Sequence, residues 1–93
     1  MNICVCGGGN LGHVVAGFLA AQGNHQVSLL TRHPERWKEV ITVDAPEGMV
    51  YTGKLCGLYS DAKAALSHAE MVLLCLPGFA IDETLRQIKA YLI

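Results

Sequence analysis

The first thirty residues contain no Asp, Glu, Lys or Arg. A third of the chain without charge must lie mostly in the interior or face a ligand. Charge is scarce elsewhere too: charged residues make up 16%, with seven basic side chains against eight acidic ones. The resulting net charge of -1 argues against the basic face that nucleic-acid binding requires. A hydrophobic share of 52% excludes a disordered chain. No apolar run approaches the ~18 residues of a membrane-spanning helix. The uncharged start also lacks the basic leader of a secretion signal, and Gly7, Gly8, Gly9 and Asn10 break it. These absences predict a soluble cytoplasmic protein without a membrane or nucleic-acid partner. The four cysteines, Cys4, Cys6, Cys56 and Cys75, form no CxxC and no Cys/His cluster. No metal site is expected; the thiols read as small buried hydrophobes in a reducing compartment.

At 93 residues the chain is one small domain, or part of a larger one, and leaves no room within itself for a two-domain enzyme. Residues 2–6 form a short apolar run, as a strand buried on both faces does. A glycine turn follows at once. Over residues 10–22 the spacing predicts a helix, with Leu11, Val14, Val15, Phe18 and Leu19 along one face. Ala16, Gly17, Ala20 and Ala21 are small enough to let that helix approach a sheet closely. Gly23 and Asn24 end it, and residues 27–30 are a second strand. This βαβ unit predicts a right-handed crossover and a parallel sheet.

Further along, Pro34 opens a short helix over residues 34–40, with Trp37 and Val40 on one side. Residues 40–43 are extended, and residues 44–48 form a turn. Residues 49–52 and 55–59 read as two short strands around Gly53 and Lys54. Ser60 is the expected N-cap of a helix over residues 61–68. Residues 71–76 are a buried strand ended by Pro77 and Gly78. A last amphipathic helix from about Ile81 turns Leu85, Ile88 and Leu92 inward. The fold class is therefore α/β: a Rossmann-type parallel sheet, in its first mononucleotide-binding half, with a small extra hairpin after the second strand.

Gly7, Gly8, Gly9, Asn10, Leu11 and Gly12 fit G-x-G-x-x-G, between a predicted strand and a predicted helix. Each glycine has a task there. Gly7 permits the tight turn, Gly9 lets backbone N–H groups approach a pyrophosphate, and Gly12 lets the helix lie close to the first strand. The helix N-terminus adds free N–H groups and a positive dipole end. The competing reading is a turn that only packs; the strand–turn–helix context favours dinucleotide binding.

The end of the second strand bears on which cofactor is held. An NAD site normally places a carboxylate there, about 20 residues past the glycines, for the ribose 2′-OH. This chain has Thr31 and Arg32 instead, with no carboxylate before Glu35. Arg32 and Arg36, with His33 beside them, suit a 2′-phosphate, so NADP is favoured over NAD. Leu76 and Pro77, followed by Gly78 and Phe79, sit beyond the strand expected beside the first one. They form either a cofactor wall or a plain helix-start turn. His13 reads as a packing or cofactor-lining residue. No histidine has an evident carboxylate partner in the sequence, and none is assigned a catalytic role.

The start of the chain, residues 4–10, together with His13 and the later Glu35, Arg36 and Trp37, resembles the N-terminus of the opine dehydrogenases, the octopine and nopaline group. Residues 71–80 resemble that family's next strand and its Pro-x-Phe-Ala loop. Ketopantoate reductases and glycerol-3-phosphate dehydrogenases share the layout, and Arg32 resembles the arginine that ketopantoate reductases use for the NADP 2′-phosphate. The resemblance implies an oxidoreductase that uses NAD(P)H to reduce an imine formed from a 2-oxo acid and an amino acid. It also implies a second, helical substrate domain and downstream catalytic residues. The chain then corresponds to the cofactor domain of such an enzyme, without its second half, and is expected to be inactive alone. The strand at residues 71–76 would lie at an uncovered sheet edge, which predicts self-association. A ketopantoate reductase-like or glycerol-3-phosphate dehydrogenase-like domain, or a non-catalytic nucleotide-sensing module, is the alternative.

Overall fold

The computed structural model describes residues 1–46 and 48–92. The first strand, β1 (Asn2–Cys6), runs directly into the glycine bend and then into helix α1 (Asn10–Ala21). The chain returns as β2 (Gln26–Leu30), parallel to β1, with Ile3 beside Val27 and Val5 beside Leu29. Gly23 takes φ +78° between them, a left-handed conformation that ends the helix at low cost. Strands β5 (Gly57–Tyr59) and β6 (Met71–Leu74) complete a four-stranded parallel sheet in the order β5-β2-β1-β6. The expected parallel α/β sheet is thus present, with β1 at its centre and β6 at one edge.

Side-chain alternation along β1 splits the core in two. Ile3 and Val5 face α1 and pack with Val27, Leu29, Ala16 and Ala20. Cys4 and Cys6 face the other way, onto Ala62, Ala65 and Leu66 of α2 (Ala62–Leu66) and onto Ile88 of α3 (Gly78–Ile88). The reading of buried thiols therefore holds for Cys4 and Cys6. It fails for Cys56, which is exposed just before β5, and holds only partly for half-buried Cys75. No group of three or more metal-ligating side chains occurs among the described residues.

α1 packs through its small residues, as read for a close approach to the sheet, and through only part of its larger face. Gly12, Ala16, Gly17 and Ala20 are its buried residues, with Val15 and Leu19 partly covered. Leu11, Val14 and Phe18 are exposed. The small side wins because it lets the helix axis come close enough to seal two layers at once, the sheet and a hairpin. That hairpin is β3 (Val40–Asp44) paired antiparallel with β4 (Val50–Lys54). A methyl on Gly53 would sit 2.5 Å from the Ala21 amide nitrogen, and one on Gly17 would run into Val43. Helix and hairpin touch through glycine on both sides, and Phe18 meets Tyr51 edge-on at 5.4 Å.

Several boundaries differ from the sequence reading. Residues 34–40 do not form one helix: a single 3-10 turn spans Pro34–Arg36, and Val40 begins β3. Residues 49–52 and 55–59 do not form a strand pair. β4 pairs back onto β3, and β5 joins the main sheet against β2. The turn between β3 and β4 carries a bond from the Gly48 amide to the Ala45 carbonyl at 3.1 Å; Glu47, within it, lies outside the described residues. The N-cap of α2 is Asp61, not Ser60, with Asp61 Oδ2 accepting from the Ala64 amide at 3.2 Å. The last helix starts at Gly78. Of the three residues expected inward, Ile88 is buried, while Leu85 and Leu92 are exposed. Ile93 lies outside the described residues. No helix among the described residues is long and apolar enough to cross a membrane.

Candidate dinucleotide cleft

Beyond the carboxyl ends of β2, β1 and β6 opens a cleft of about 770 Å³. Its floor is the glycine bend. Gly7 takes φ +129°, a region closed to most L side chains, and its amide donates to the Leu30 carbonyl at 2.9 Å. A side chain at Gly7 would strike the Cys75 carbonyl, and one at Gly12 would strike the Gly7 carbonyl. Both glycines are thus fixed by backbone meeting backbone. At Gly8 a methyl would meet the Thr31 hydroxyl and lie 3.6 Å from Trp37 Nε1.

Gly9 is different. A methyl there would touch nothing within 4 Å, yet Gly9 lines the cleft. Its missing side chain is a space that a ligand can fill. Gly9 is also the N-cap of α1, with no side-chain cap hydrogen bond and no acidic residue in the first turn. The first N–H groups of a twelve-residue helix therefore have no side-chain acceptor, and the dipole end is positive. This open, donor-rich cradle fits a diphosphate.

Of the residues singled out in the sequence, Gly7, Gly8, Gly9, Asn10, Thr31, Arg32, Arg36, Leu76 and Pro77 all line the cleft. Gly12 does not; it supports the bend from beneath. Leu11 does not either, and is 60% exposed. Residues 76–79 are both a lining of the cleft and a helix start: Leu76, Pro77 and Phe79 line it, Phe79 being 88% exposed, while Pro77 is the N-cap of α3.

Of the two side walls the sequence pointed to His13; the partners that complete them were not legible. One wall comes from the hairpin and the 3-10 turn. His13 Nε2 lies 2.9 Å from the Thr42 carbonyl, and because a carbonyl only accepts, Nε2–H is the donor. The His13 and Trp37 rings lie 5.5 Å apart at 50°. Together they tie the first turn of α1 to β3. The other wall is one face of α3, where Ala80, Glu83, Thr84 and Gln87 repeat at helical spacing. A carboxylate partner for a histidine also emerges: His33 Nδ1 lies 3.1 Å from Glu35 Oε1. The bonds from its own backbone amide and from His33 hold the Glu35 carboxyl below its ordinary pKa. Burial pushes the Cys75 thiol up. Cys6 is pushed up as well, chiefly by its hydrogen bond with Cys4 and then by burial.

Comparison with known proteins agrees with this geometry. Opine dehydrogenase of Haliotis discus hannai is 31% identical over 109 residues, covering 99% of this chain and 26% of that protein. Octopine dehydrogenase of Pecten maximus is 29% identical over 105 residues, covering 98% of this chain and 26% of the relative. A solved structure of octopine dehydrogenase with NADH and agmatine superposes with a TM-score of 0.88 at 28% identity, again over 99% of this chain and 26% of that one. The chain thus spans about a quarter of the length of the relatives it matches. The family model for the N-terminus of NAD-dependent glycerol-3-phosphate dehydrogenase matches residues 2–93. With its glycine bend, parallel sheet and match over nearly the whole length, the chain belongs to the family of NAD-dependent glycerol-3-phosphate dehydrogenase N-terminal domains.

Proposed function

We propose that the cleft binds a nicotinamide dinucleotide, and that residues 1–93 serve as the cofactor domain of a longer oxidoreductase of the opine dehydrogenase type. The observation that carries this reading is the vacant Cβ direction at Gly9, set at the uncapped N-terminus of α1. The amides of the bend and the first helical turn would hold the diphosphate. Thr31, Arg32 and Arg36 would face the adenosine ribose, and Leu76 and Pro77 would wall the opposite side. Bound there, the nicotinamide supplies a hydride. The substrate and the acid–base groups would come from a further domain, so the 93 residues alone are proposed to lack turnover. The curated relatives are opine and octopine dehydrogenases, and for the longer protein we propose reduction of an imine formed from a 2-oxo acid and an amino acid. The matching family model supports a second reading, a glycerol-3-phosphate dehydrogenase-type reaction on the same cofactor domain.

For the ribose end we propose NADP over NAD. No carboxylate follows β2 to meet a 2′-OH, and Glu35 is engaged with His33. Arg32, Arg36 and Lys38 bring three positive charges to that end of the cleft. The test is a titration of NADPH and NADH against wild-type protein and Arg32→Ala, read by fluorescence of Trp37, the single tryptophan. The variant should lose NADPH affinity by about tenfold or more, as removal of a charged hydrogen bond predicts, and keep its NADH affinity. Equal losses for both cofactors refute the phosphate assignment.

We also propose a reducing, cytoplasmic location, supported by four free thiols. Self-association is proposed through β6, whose outer edge carries no strand among the described residues.

A further inference from the structure

We infer that Glu83 is a specificity-determining residue of the cleft: it holds Arg32 across the opening and competes with a ligand phosphate for that guanidinium. The inference rests on the proposed dinucleotide site and concerns how that site discriminates. Arg32 follows β2, while Glu83 stands on α3, which follows β6. Those two strands flank β1 on opposite sides. A link between them therefore passes over the end of β1, above the glycine bend. The structure contains that link: Arg32 Nη2 lies 3.4 Å from Glu83 Oε2.

Charge makes the link informative. Among the described residues that line the cleft, Glu83 is the sole acidic side chain, against Arg32, Arg36 and Lys38. Its neighbours on the same helix face, Ala80, Thr84 and Gln87, are uncharged. Neither partner is held by burial, since the side chains are 80% and 74% exposed. The pair is accordingly weak and exchangeable. A ribose with a free 2′-OH makes no demand on the guanidinium. A 2′-phosphate does, and it can engage Arg32 bidentately only if Glu83 lets go. Glu83 thus lowers the advantage of a phosphorylated over an unphosphorylated cofactor and acts as a positioning residue through Arg32.

The test compares dissociation constants for NADPH and NADH on wild-type protein, Glu83→Gln, Asp82→Asn, Arg32→Ala and the Arg32→Ala/Glu83→Gln double variant. Glu83→Gln should shift the NADPH-to-NADH affinity ratio roughly two- to five-fold toward NADPH, the range for release of an exposed ion pair. Asp82→Asn removes the same charge one residue earlier. Asp82 pairs with Arg86 at 4.0 Å and does not line the cleft, so that ratio should stay put. In the Arg32→Ala background the Glu83→Gln shift should vanish. A ratio unmoved by Glu83→Gln overturns the inference. So does an equal shift from Asp82→Asn, or a shift that persists without Arg32. Wild-type protein that binds neither dinucleotide refutes the site itself, a result distinct from binding both with an unmoved ratio.

Discussion

Replacing Gly9 by alanine should separate binding from folding. The new methyl meets no atom within 4 Å, and Gly9 already has φ -88° and ψ -170°, which alanine adopts without strain. Two small stability terms then oppose each other. Alanine is a poorer N-cap than glycine, by roughly 0.5–1 kcal/mol. It also stiffens the unfolded chain, which returns about 0.4–1 kcal/mol. Stability should stay within about 0.5 kcal/mol of wild type. The methyl, however, occupies the space where the diphosphate would meet the helix N-terminus. Loss of one hydrogen bond to a charged group costs about 1.5–3 kcal/mol, or roughly ten- to hundred-fold in affinity. Gly12→Ala is the companion. Its methyl runs into the Gly7 carbonyl, an overpacking cost of about 1–3 kcal/mol. Alanine's helix preference offsets about 1 kcal/mol of that. This variant should lose up to about 2 kcal/mol of stability along with its affinity. Urea unfolding supplies the stabilities, and NADH titration followed by Trp37 fluorescence supplies the affinities. If Gly9→Ala binds NADH as wild type does, the bend is a packing turn and the dinucleotide assignment is wrong.

Thiol labelling of the native protein should modify Cys56 first, because it alone of the four is exposed. Half-buried Cys75, its pKa raised by burial, should follow, and Cys4 and Cys6 should react only on unfolding; labelling of Cys4 ahead of Cys56 would contradict the core described above. The open edge of β6 should make the protein self-associate with rising concentration. Light scattering that reports a monomer at every concentration up to millimolar would dismiss the edge as a pairing site.

The elements nearest the bend were legible because each rests on local rules. β1 is a short apolar run ended by glycine, α1 begins where the glycines stop, and β2 follows within a turn. Thr31 and Arg32 then fall at the end of β2 by counting alone. In α1 the small residues were legible as the close-packing side, but not that Leu11, Val14 and Phe18 would be left exposed. The periodicity of Leu11, Val14 and Phe18 marks a helix face, but the close approach of sheet and hairpin selects the opposite, smaller face of Gly12, Ala16 and Ala20. Legibility failed where partners lie far apart in sequence. β4 and β5 have similar local patterns, and only the docking of β4 against α1 through Gly53 decides which strand joins which sheet.

The same reason hid half of the cleft. His13 meets Thr42 across 29 positions, and Arg32 meets Glu83 across 51. No local pattern encodes either contact. The α3 face does carry one usable signal. Ala80, Thr84 and Gln87 share a stripe with a lone carboxylate, while the helix buries only Ile88. A helix that gives so little of itself to the core keeps a face for another purpose, and here that face is turned to the cleft. Selectivity between cofactors then depends less on the residue at the end of β2 than on what that residue must release. Arg32 alone points to NADP; Arg32 held by Glu83 points to a site that pays for the preference in ion-pair exchange. Two dinucleotides that differ by one phosphate measure that exchange directly.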